Sequence, residues 1–295
     1  MKKLLLSAPF LLFALLLLLR PAEALSAAQE GLLLCFRSII PSLFPMMVVT
    51  GLLLRLGAAD CLQRVLSPLM GPLFQLRGAC AAPLLMGLVG GYPVGADSVA
   101  QLYRQGLCTK GEAERLLSFC NNCGPAFLLS YVGGGLFGST LLGCKLFLLH
   151  ALSALAVGAL LCRRGRREPL PLPGRPLPQK AVSLPLAFTR SVTAALQSVL
   201  QICAFVTLFA VAAALLPESA PPFAVGLLEM TSGLSGLPDT RAGHAMAAAL
   251  VGFGGLSVHC QTLAVLADTD IDPRLHFPGK VLQAALSAAL AYSFL

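Results

Sequence analysis

The chain has 295 residues, of which 57% are hydrophobic and 12% are charged, and its formal net charge is +8. Soluble domains carry about 25% charged residues, so this composition excludes an ordinary soluble domain and indicates that lipid surrounds most of the chain. The positive charge does not indicate nucleic-acid binding, because it is concentrated in one segment directly after an apolar run, where a membrane protein places a cytoplasmic loop.

The first 24 residues admit two interpretations. Lys2 and Lys3 precede an apolar stretch over residues 4–19 and the tripeptide Ala22-Glu23-Ala24, a pattern that resembles a cleavable signal peptide. The alternative is a retained N-terminal membrane helix over residues 1–24 with its basic end in the cytoplasm. We expect retention, because a multispanning protein does not need a cleaved leader.

Two apolar runs of different character follow. Residues 35–56 form a second span that Pro41 and Pro45 interrupt, which lipid tolerates only where neighbouring protein satisfies the freed backbone groups. Residues 61–76 are predicted to form a short interfacial helix.

The segment 81–105 contains the strongest local signal. Four glycines and one proline fall within the nine residues from Gly87 to Gly95, which cannot form one regular membrane helix. This pattern predicts a re-entrant hairpin or an unwound helix. Irregular backbone at membrane depth must be buried in protein or line a wet cavity, so we expect a functional site here.

A second interruption follows the next helix. Thr109 and Glu112 have the spacing of a capping box and start that helix. The path is then broken by Asn121, Asn122, Gly124 and Pro125.

The chain divides into two membrane repeats joined by a linker. Residues 31–162 are predicted to form the first repeat, and its last span, 141–162, ends at a cluster of arginines. The basic, proline-rich segment 163–183 predicts a semi-rigid cytoplasmic linker. Residues 184–295 are predicted to form the second repeat.

The second repeat carries its own glycine block. A long apolar run over 191–216 is followed by a short Gly/Ser-broken segment over 223–237. The block Gly252–Thr262 combines glycines with small polar residues, and we expect it to correspond to Gly87–Asp97 of the first repeat. Residues 281–295 close the chain.

Counting the crossings predicts opposite orientations for the two repeats. With the N-terminus and the linker both cytoplasmic, the first glycine segment enters from the cytoplasmic side and the second enters from outside. Inverted repeats with glycine-interrupted segments at matching positions are typical of secondary transporters. We therefore predict an all-α, polytopic membrane fold of two inverted repeats, each with a re-entrant or broken helical hairpin.

Polar residues cluster at both interrupted regions and form the predicted binding site. Unpaired polar groups in hydrocarbon are costly, so they usually face a cavity or a partner. Free N–H groups at half-helix N-termini would hold a carboxylate or phosphate, and amide side chains suit a polar heterocycle. The predicted substrate-binding residues are Gly90, Gly91, Tyr92, Asp97, Ser98, Gln101, Asn121, Asn122, Ser257, His259, Gln261 and Thr262.

A purely structural role is the alternative for several of these residues. Asn121 and Asn122 would then only satisfy the interrupted backbone, His259 would be a hydrogen-bonded interior histidine, and Asp97 would pair with Arg104.

Catalytic and metal sites are not expected. The sequence has no P-loop, G-x-S-x-G, H-E-x-x-H or dinucleotide fingerprint, so we expect neither an enzyme nor a cofactor. Cys120 and Cys123 form C-x-x-C, but no second ligand pair follows at zinc spacing, and we interpret them as small residues at a helix contact. No acidic residue stands clearly at mid-depth, so the coupling ion stays open.

Several blocks of the sequence resemble one family. The blocks of the first half are Gly90-Gly-Tyr-Pro-Val-Gly-Ala-Asp97, Leu102-Tyr-Arg-Gln-Gly106, Glu112-Ala-Glu-Arg-Leu-Leu-Ser-Phe119 and Asn121-Asn-Cys-Gly-Pro125. The block of the second half is Phe253-Gly-Gly-Leu-Ser-Val-His259. With these blocks the chain resembles, over about residues 31–295, the YlbJ-like sporulation integral membrane proteins, which carry the nucleoside-recognition Gate domain.

The resemblance implies a core similar to that of concentrative nucleoside transporters. It also implies a link to spore formation, where a role in passing dipicolinic acid across the membrane around the forespore is proposed. Cys123 and Gly124 stand where alanine and serine are expected, which puts the identity of the substrate in doubt. The name "nucleoside recognition" rests on fold-level analogy and does not establish a nucleoside substrate.

We expect a multi-pass transporter of a small polar or anionic solute, with a dipicolinate-type dicarboxylate favoured. A nucleoside is the alternative substrate, and a non-transporting membrane anchor in spore formation is the alternative function. The expected location is the bacterial inner or forespore membrane, with the N-terminus and the linker in the cytoplasm. The expected partners are the lipid bilayer and the solute; nucleic acid is not expected, and a homo-oligomer is left open.

Overall fold

The computed structural model describes residues 2–56, 58–163, 183–217 and 219–295, and this part of the chain contains helices and no strand. The predicted all-α class is confirmed. Three helices of the described part are long and apolar enough to cross a membrane, or up to five if each of two sharply bent helix pairs counts as one span. The predicted linker lies outside the described residues, apart from its end residues Arg163 and Ser183.

The N-terminal part of the chain is a series of bent helices. The chain turns by 101° between the segments 7–19 and 21–39, and by 109° between the segments 64–74 and 78–90. These elements are α1 (Lys2–Leu19), α2 (Pro21–Leu34), a π-helical segment (Cys35–Ile39), α3 (Ile40–Arg55) and α4 (Ala58–Phe74).

The π-helical segment has a cause in the sequence. A proline ring clashes with the carbonyl four residues earlier and donates no hydrogen bond. The wider turn over Cys35–Ile39, in which Ile40 N–H donates to Cys35 O, lies directly before Pro41. The helix therefore continues through Pro41 and Pro45 rather than ending there.

Residues 81–162 form a hairpin, a broken helix and a long helix. The two arms of the hairpin touch at two glycines, since a Cβ on Gly87 would lie 3.2 Å from the Cα of Gly95. The elements are α5 (Ala81–Gly90) and α6 (Val94–Arg104), then α7 (Lys110–Cys120) with the π-helical segment Phe127–Leu136, then α8 (Thr140–Cys162).

Residues 222–294 have the same order of elements after the long helix α9 (Leu184–Ala214). Its hairpin is also closed by two glycines, because a Cβ on Gly233 would overlap Gly226. The elements are α10 (Pro222–Leu228) and α11 (Met230–Ser235), then the broken helix α12 (Arg241–Phe253) with α13 (Gly255–Leu266), then α14 (His276–Phe294).

This order corrects the expected correspondence between the glycine blocks. Gly252–Thr262 lies at the break of one continuous span rather than in a hairpin. Its counterpart by position is the Asn121–Pro125 interruption, and the counterpart of the first hairpin is the short segment 222–235. Adjacent glycines supply left-handed backbone, as Gly254 (φ +92°) and Gly255 (φ +72°) do, but they do not specify whether the next helix reverses or continues.

The open ends of the two hairpins lie at opposite ends of α14. The arm of the first hairpin ends at Arg104, whose guanidinium pairs with Asp268 in the loop that precedes α14. The arm of the second hairpin leads to Arg241, which donates to the carbonyl of Ser293 at the end of α14 (3.2 Å). A 19-residue helix is about 28 Å long, so nearly the thickness of a bilayer core separates the two openings.

Candidate functional site

Both hairpin tips and both helix breaks meet around one cavity of ≈ 60 Å³. This volume has room for a few water molecules. The rest of its wall is apolar and comes from the segment around Ile39 to Met47 and from Ile202 and Val206 of α9. The cavity is therefore a mostly apolar chamber with polar groups only at the tips and the breaks.

The tip of the first hairpin supplies Gly90, Gly91 and Tyr92, as predicted. The backbone turns at Gly91 with φ +79°, a conformation that side chains rarely adopt. The Tyr92 hydroxyl donates to the carbonyl of Val251 on α12 (2.7 Å). The tip of the first hairpin is thus bound to the broken helix formed by α12 and α13.

The tip of the second hairpin places a buried carboxylate in the cavity wall. Glu229 is 1% exposed, and its two oxygens accept from the N–H groups of Thr231 (3.0 Å) and Ser232 (2.6 Å). Sequence analysis missed Glu229. The signal was there, because Glu229 is the one charged residue of the segment 223–237.

Two half-helix N-termini also face the cavity. Gly124 and Phe127 line it at the first break, and Ser257 and Val258 line it at the second. No side chain caps the start of α13 or of the π-helical segment after the first break within the described residues. The partial positive charge of an uncapped helix N-terminus favours an anionic group.

Ser257 and Gln261 present free polar atoms to this cavity. Their side chains are 1% and 2% exposed, and Ser257 Oγ and Gln261 Oε1 have no hydrogen-bond partner in the described part of the chain. Because a buried polar atom without a partner costs about 1–3 kcal/mol, a solute or ordered water is expected to satisfy both atoms. These two predicted residues have the geometry of a binding site.

Asn121 and Asn122 are bound within the protein instead. Asn121 accepts from Ala96 N–H (3.4 Å) and donates to the hydroxyl of Thr262 (2.8 Å). Asn122 donates to the carbonyl of Phe119 (2.8 Å) and accepts from Gln283 (2.9 Å). Both are fully buried, and neither lines the cavity. Their geometry matches the structural alternative, in which they satisfy the interrupted backbone.

His259 belongs to a buried histidine pair beside the cavity rather than to its wall. Its Nδ1 lies 3.0 Å from Nε2 of His276, whose Nδ1 lies 3.2 Å from the carbonyl of Leu117. A carbonyl only accepts, so the neutral His276 ring carries its proton on Nδ1, and its Nε2 accepts a hydrogen bond from His259 Nδ1–H. His259 Nε2 then has a free lone pair with no partner among the described residues.

Three predicted residues of the first hairpin lie away from the cavity. Gln101 is exposed and donates to the carboxylate of Asp97 (2.6 Å), and Ser98 is half-buried beside them. Asp97 thus accepts from Gln101, and Arg104 pairs with Asp268. The structure does not bring Asp97, Ser98 and Gln101 together with the other predicted site residues.

Sequence analysis also missed a buried polar face on α14. Its members recur at helical spacing and are at most 1% exposed: His276, Lys280, Gln283 and Ser287. Gln283 Nε2 lies 3.4 Å from the ring of His150 on α8, which accepts from Cys123 N–H (3.1 Å). A lysine and a glutamine one turn apart in an apolar C-terminal helix were the available signal.

Comparisons with known proteins agree with the first-half blocks. The Gate family model, described as nucleoside recognition, matches residues 36–137, which include the first hairpin and the first break. The sporulation integral membrane protein YlbJ of Bacillus subtilis (strain 168) is 28% identical over an alignment that covers 97% of this chain and 81% of that protein. The chain is similar to this integral membrane protein over almost its whole length. No solved structure matches it.

Proposed function

We propose that this YlbJ-like protein is a permease that carries a small polar solute through the chamber between its hairpin tips. The observation that carries the proposal is the meeting of two hairpin tips and two uncapped half-helix N-termini at one cavity. Broken helices that expose their ends to a central site are the usual means by which secondary transporters bind a solute at membrane depth.

Opposite entry of the two hairpins supports alternating access. Their openings lie at the two ends of α14, as expected if each repeat gates one side of the membrane. At the opening of the first hairpin, Arg104 and Lys110 pair with Asp268 and Asp270 of one loop, and Cys162, which precedes Arg163, contacts the carbonyl of Arg115. We assign this basic side to the cytoplasm by the positive-inside rule. The repeats would then be inverted, and the linker after Arg163 would be cytoplasmic.

A dipicolinate-type dicarboxylate remains the favoured solute. One carboxylate would bind at each half-helix N-terminus, and Ser257 Oγ–H would donate a further hydrogen bond. The amide of Gln261 would present its NH₂ group after a flip about its terminal bond. The name of the Bacillus subtilis relative, a sporulation integral membrane protein, supports a place for this protein in spore formation and in a membrane.

A nucleoside is the second candidate because of Glu229. This carboxylate in the cavity wall would accept hydrogen bonds from ribose hydroxyls, whereas it would repel a dianion. The Gate match supports the same candidate. Replacing Glu229 should therefore change KM in opposite directions for the two solutes.

Uptake into proteoliposomes tests the proposal. Liposomes that contain the purified full-length protein should accumulate more labelled dipicolinate or labelled uridine than empty liposomes do. Unlabelled solute of the same kind should compete with this uptake. A Gln261→Leu variant removes a polar group of the cavity wall and should take up less of the solute than wild type. Flux of neither solute, together with loss of partner localisation when the protein is deleted from spore-forming cells, would instead favour a membrane anchor.

A further inference from the structure

Lys280 is a fully buried lysine with no acidic partner. Its side chain is 0% exposed, and no Asp or Glu of the described residues pairs with it. A charge at membrane depth is costly, and such residues are usually paired or functional. The contacts of Lys280 therefore need a specific explanation.

The ammonium group of Lys280 is held by groups that also bind metal cations. Its Nζ donates to the backbone carbonyl of Asn121 (2.6 Å) and to Oε1 of Gln283 (2.7 Å). It also lies 5.3 Å from the centre of the Tyr92 ring, within the range of a cation–π interaction. Two short bonds to acceptor-only oxygens and an aromatic face favour a cation at this position.

The Asn121 carbonyl lies at the C-terminal end of the half-helix α7. Asn121 follows the last residue of α7 and has extended backbone geometry, so its carbonyl has no partner within that helix. The C-terminal end of a helix carries partial negative charge. In transporters with broken helices, such ends and unwound carbonyls coordinate the coupling cation.

Packing places Lys280 at this helix end. A Cβ on Gly279 would lie 3.0 Å from the Cβ of Ser118, so the glycine lets α14 approach the last turn of α7. The next residue, Lys280, then reaches the break. Tyr92 joins the same ammonium to the tip of the first hairpin, which lines the cavity.

We propose that Lys280 is a built-in cation that takes the place of a dissociable coupling ion at the C-terminal end of α7, so that the protein binds its solute without sodium. The ammonium neutralises the broken helix and holds the first hairpin tip against it. Only the transport consequence of this inference rests on the proposed function.

Thermal unfolding of the purified full-length protein tests the inference. Wild type should unfold at the same temperature in NaCl and in N-methyl-D-glucamine chloride of equal ionic strength. Lys280→Ala should unfold roughly 5–10 °C lower, because buried acceptors lose their donor, and NaCl should restore part of the loss in a saturable manner. Lys280→Met fills the same space without charge, so it should be equally destabilised and insensitive to sodium.

Matched controls and opposing outcomes are available. Lys145→Ala removes an exposed lysine of α8 and should change neither the unfolding temperature nor its response to salt. Specific stabilisation of wild type by sodium would overturn the inference, as would a sodium response no larger in Lys280→Ala than in Lys280→Met. If Lys280→Ala does not fold in either salt, the unfolding temperatures of wild type in NaCl and in N-methyl-D-glucamine chloride decide.

Uptake gives a second, separable result. Wild-type uptake should be equal in sodium and in N-methyl-D-glucamine, and sodium-driven uptake by wild type would overturn the inference. No uptake of any solute would count against the proposed function, while the unfolding temperatures would still decide whether Lys280 replaces a cation.

Discussion

The two helix breaks at the cavity differ in how their polar groups are satisfied. At the first break, the side chains of Asn121 and Asn122 and the N–H of Cys123 all have partners within the protein. At the second break, Ser257 Oγ and Gln261 Oε1 have none among the residues described. The first break is closed by its own network, and the second retains hydrogen-bonding capacity for a ligand.

This difference indicates a division of labour between the breaks. A satisfied buried network rigidifies the structure around it, and the first break also holds the Lys280 ammonium. Free buried polar atoms cost energy unless something binds them, so the side chains that bind the solute are expected at the second break. Substitutions at the first break should therefore reduce stability, whereas those at the second should reduce uptake alone.

The largest effect is expected for Asn121→Leu at the first break. The substitution leaves Ala96 N–H without its acceptor and removes the donor to the Thr262 hydroxyl, which keeps its bond to the Val258 carbonyl. Each lost bond costs about 1–3 kcal/mol. We expect the unfolding temperature to fall by roughly 5–10 °C and abundance in the membrane to fall with it. Fluorescence-monitored unfolding and immunoblotting measure both.

Ser287→Ala is the control for Asn121→Leu. Ser287 is 0% exposed, and its hydroxyl has no partner in the described ranges, so its removal should leave stability unchanged. Normal stability with lost uptake in Asn121→Leu would move Asn121 into the binding site and end the distinction between the breaks.

The second effect in size is expected for Gln261→Leu at the second break. The amide faces the cavity without a partner in the described structure, so its loss should lower uptake about tenfold or more, as expected for one lost hydrogen bond to a solute. The unfolding temperature should stay within about 2 °C of wild type. Cys260→Ala, a neighbouring position outside the cavity wall, should change neither quantity. A large drop in stability would show that Gln261 is structural.

A smaller effect, on KM, is expected for Glu229→Gln, and its direction distinguishes the two candidate solutes. The change removes the negative charge and keeps an acceptor oxygen. If the solute is a dicarboxylate, its KM should fall by about threefold to tenfold, because a like charge is removed. If the solute is a nucleoside, KM should rise by a similar factor, because bonds to a charged acceptor are the stronger ones. An unchanged KM for either solute would place the solute away from the second hairpin tip.

The smallest effect is expected for Asp270→Asn, in the loop before α14 and far from both breaks. Hydrogen bonds from Tyr103 (2.7 Å) and Lys110 (3.3 Å) hold the pKa of the Asp270 carboxyl below its ordinary value of 3.8. A lowered pKa contributes stability that is present above the unfolded pKa and is lost as the pH falls through the folded pKa. We therefore expect wild type and Asp270→Asn to converge only below about pH 4.

Exposure limits the size of this loop effect. At neutral pH the two proteins should differ in unfolding temperature by no more than about 2 °C, since exposed ion pairs contribute little. Titration of the unfolding temperature against pH measures the comparison. A larger difference at neutral pH would mean that this loop, rather than the breaks, controls stability.

Local chemistry made part of the site predictable from the sequence. Adjacent glycines beside Tyr92 mark a turn that must be buried in protein, and that tip does line the cavity. The capping box at Thr109 is present with both of its hydrogen bonds. Ser257 and Gln261 follow a glycine break at the depth where a polar atom needs a partner.

Long-range packing explains what the sequence did not predict. The role of Lys280 depends on α14 approaching α7, a contact between residues 159 positions apart. The outward position of Asp97 and Gln101 was readable, because their face alternates with the buried Ala96 and Val99 at helical spacing. Treating every polar residue near the glycines as part of the site overlooked that periodicity.

Labelling of Ser257→Cys in proteoliposomes tests the division between the breaks most directly. A small thiol reagent should modify this cysteine and abolish uptake, relative to a wild-type background that keeps its native cysteines, and the transported solute should slow the modification. Modification at an unchanged rate in saturating solute, or full uptake after modification, would contradict solute binding at the second break.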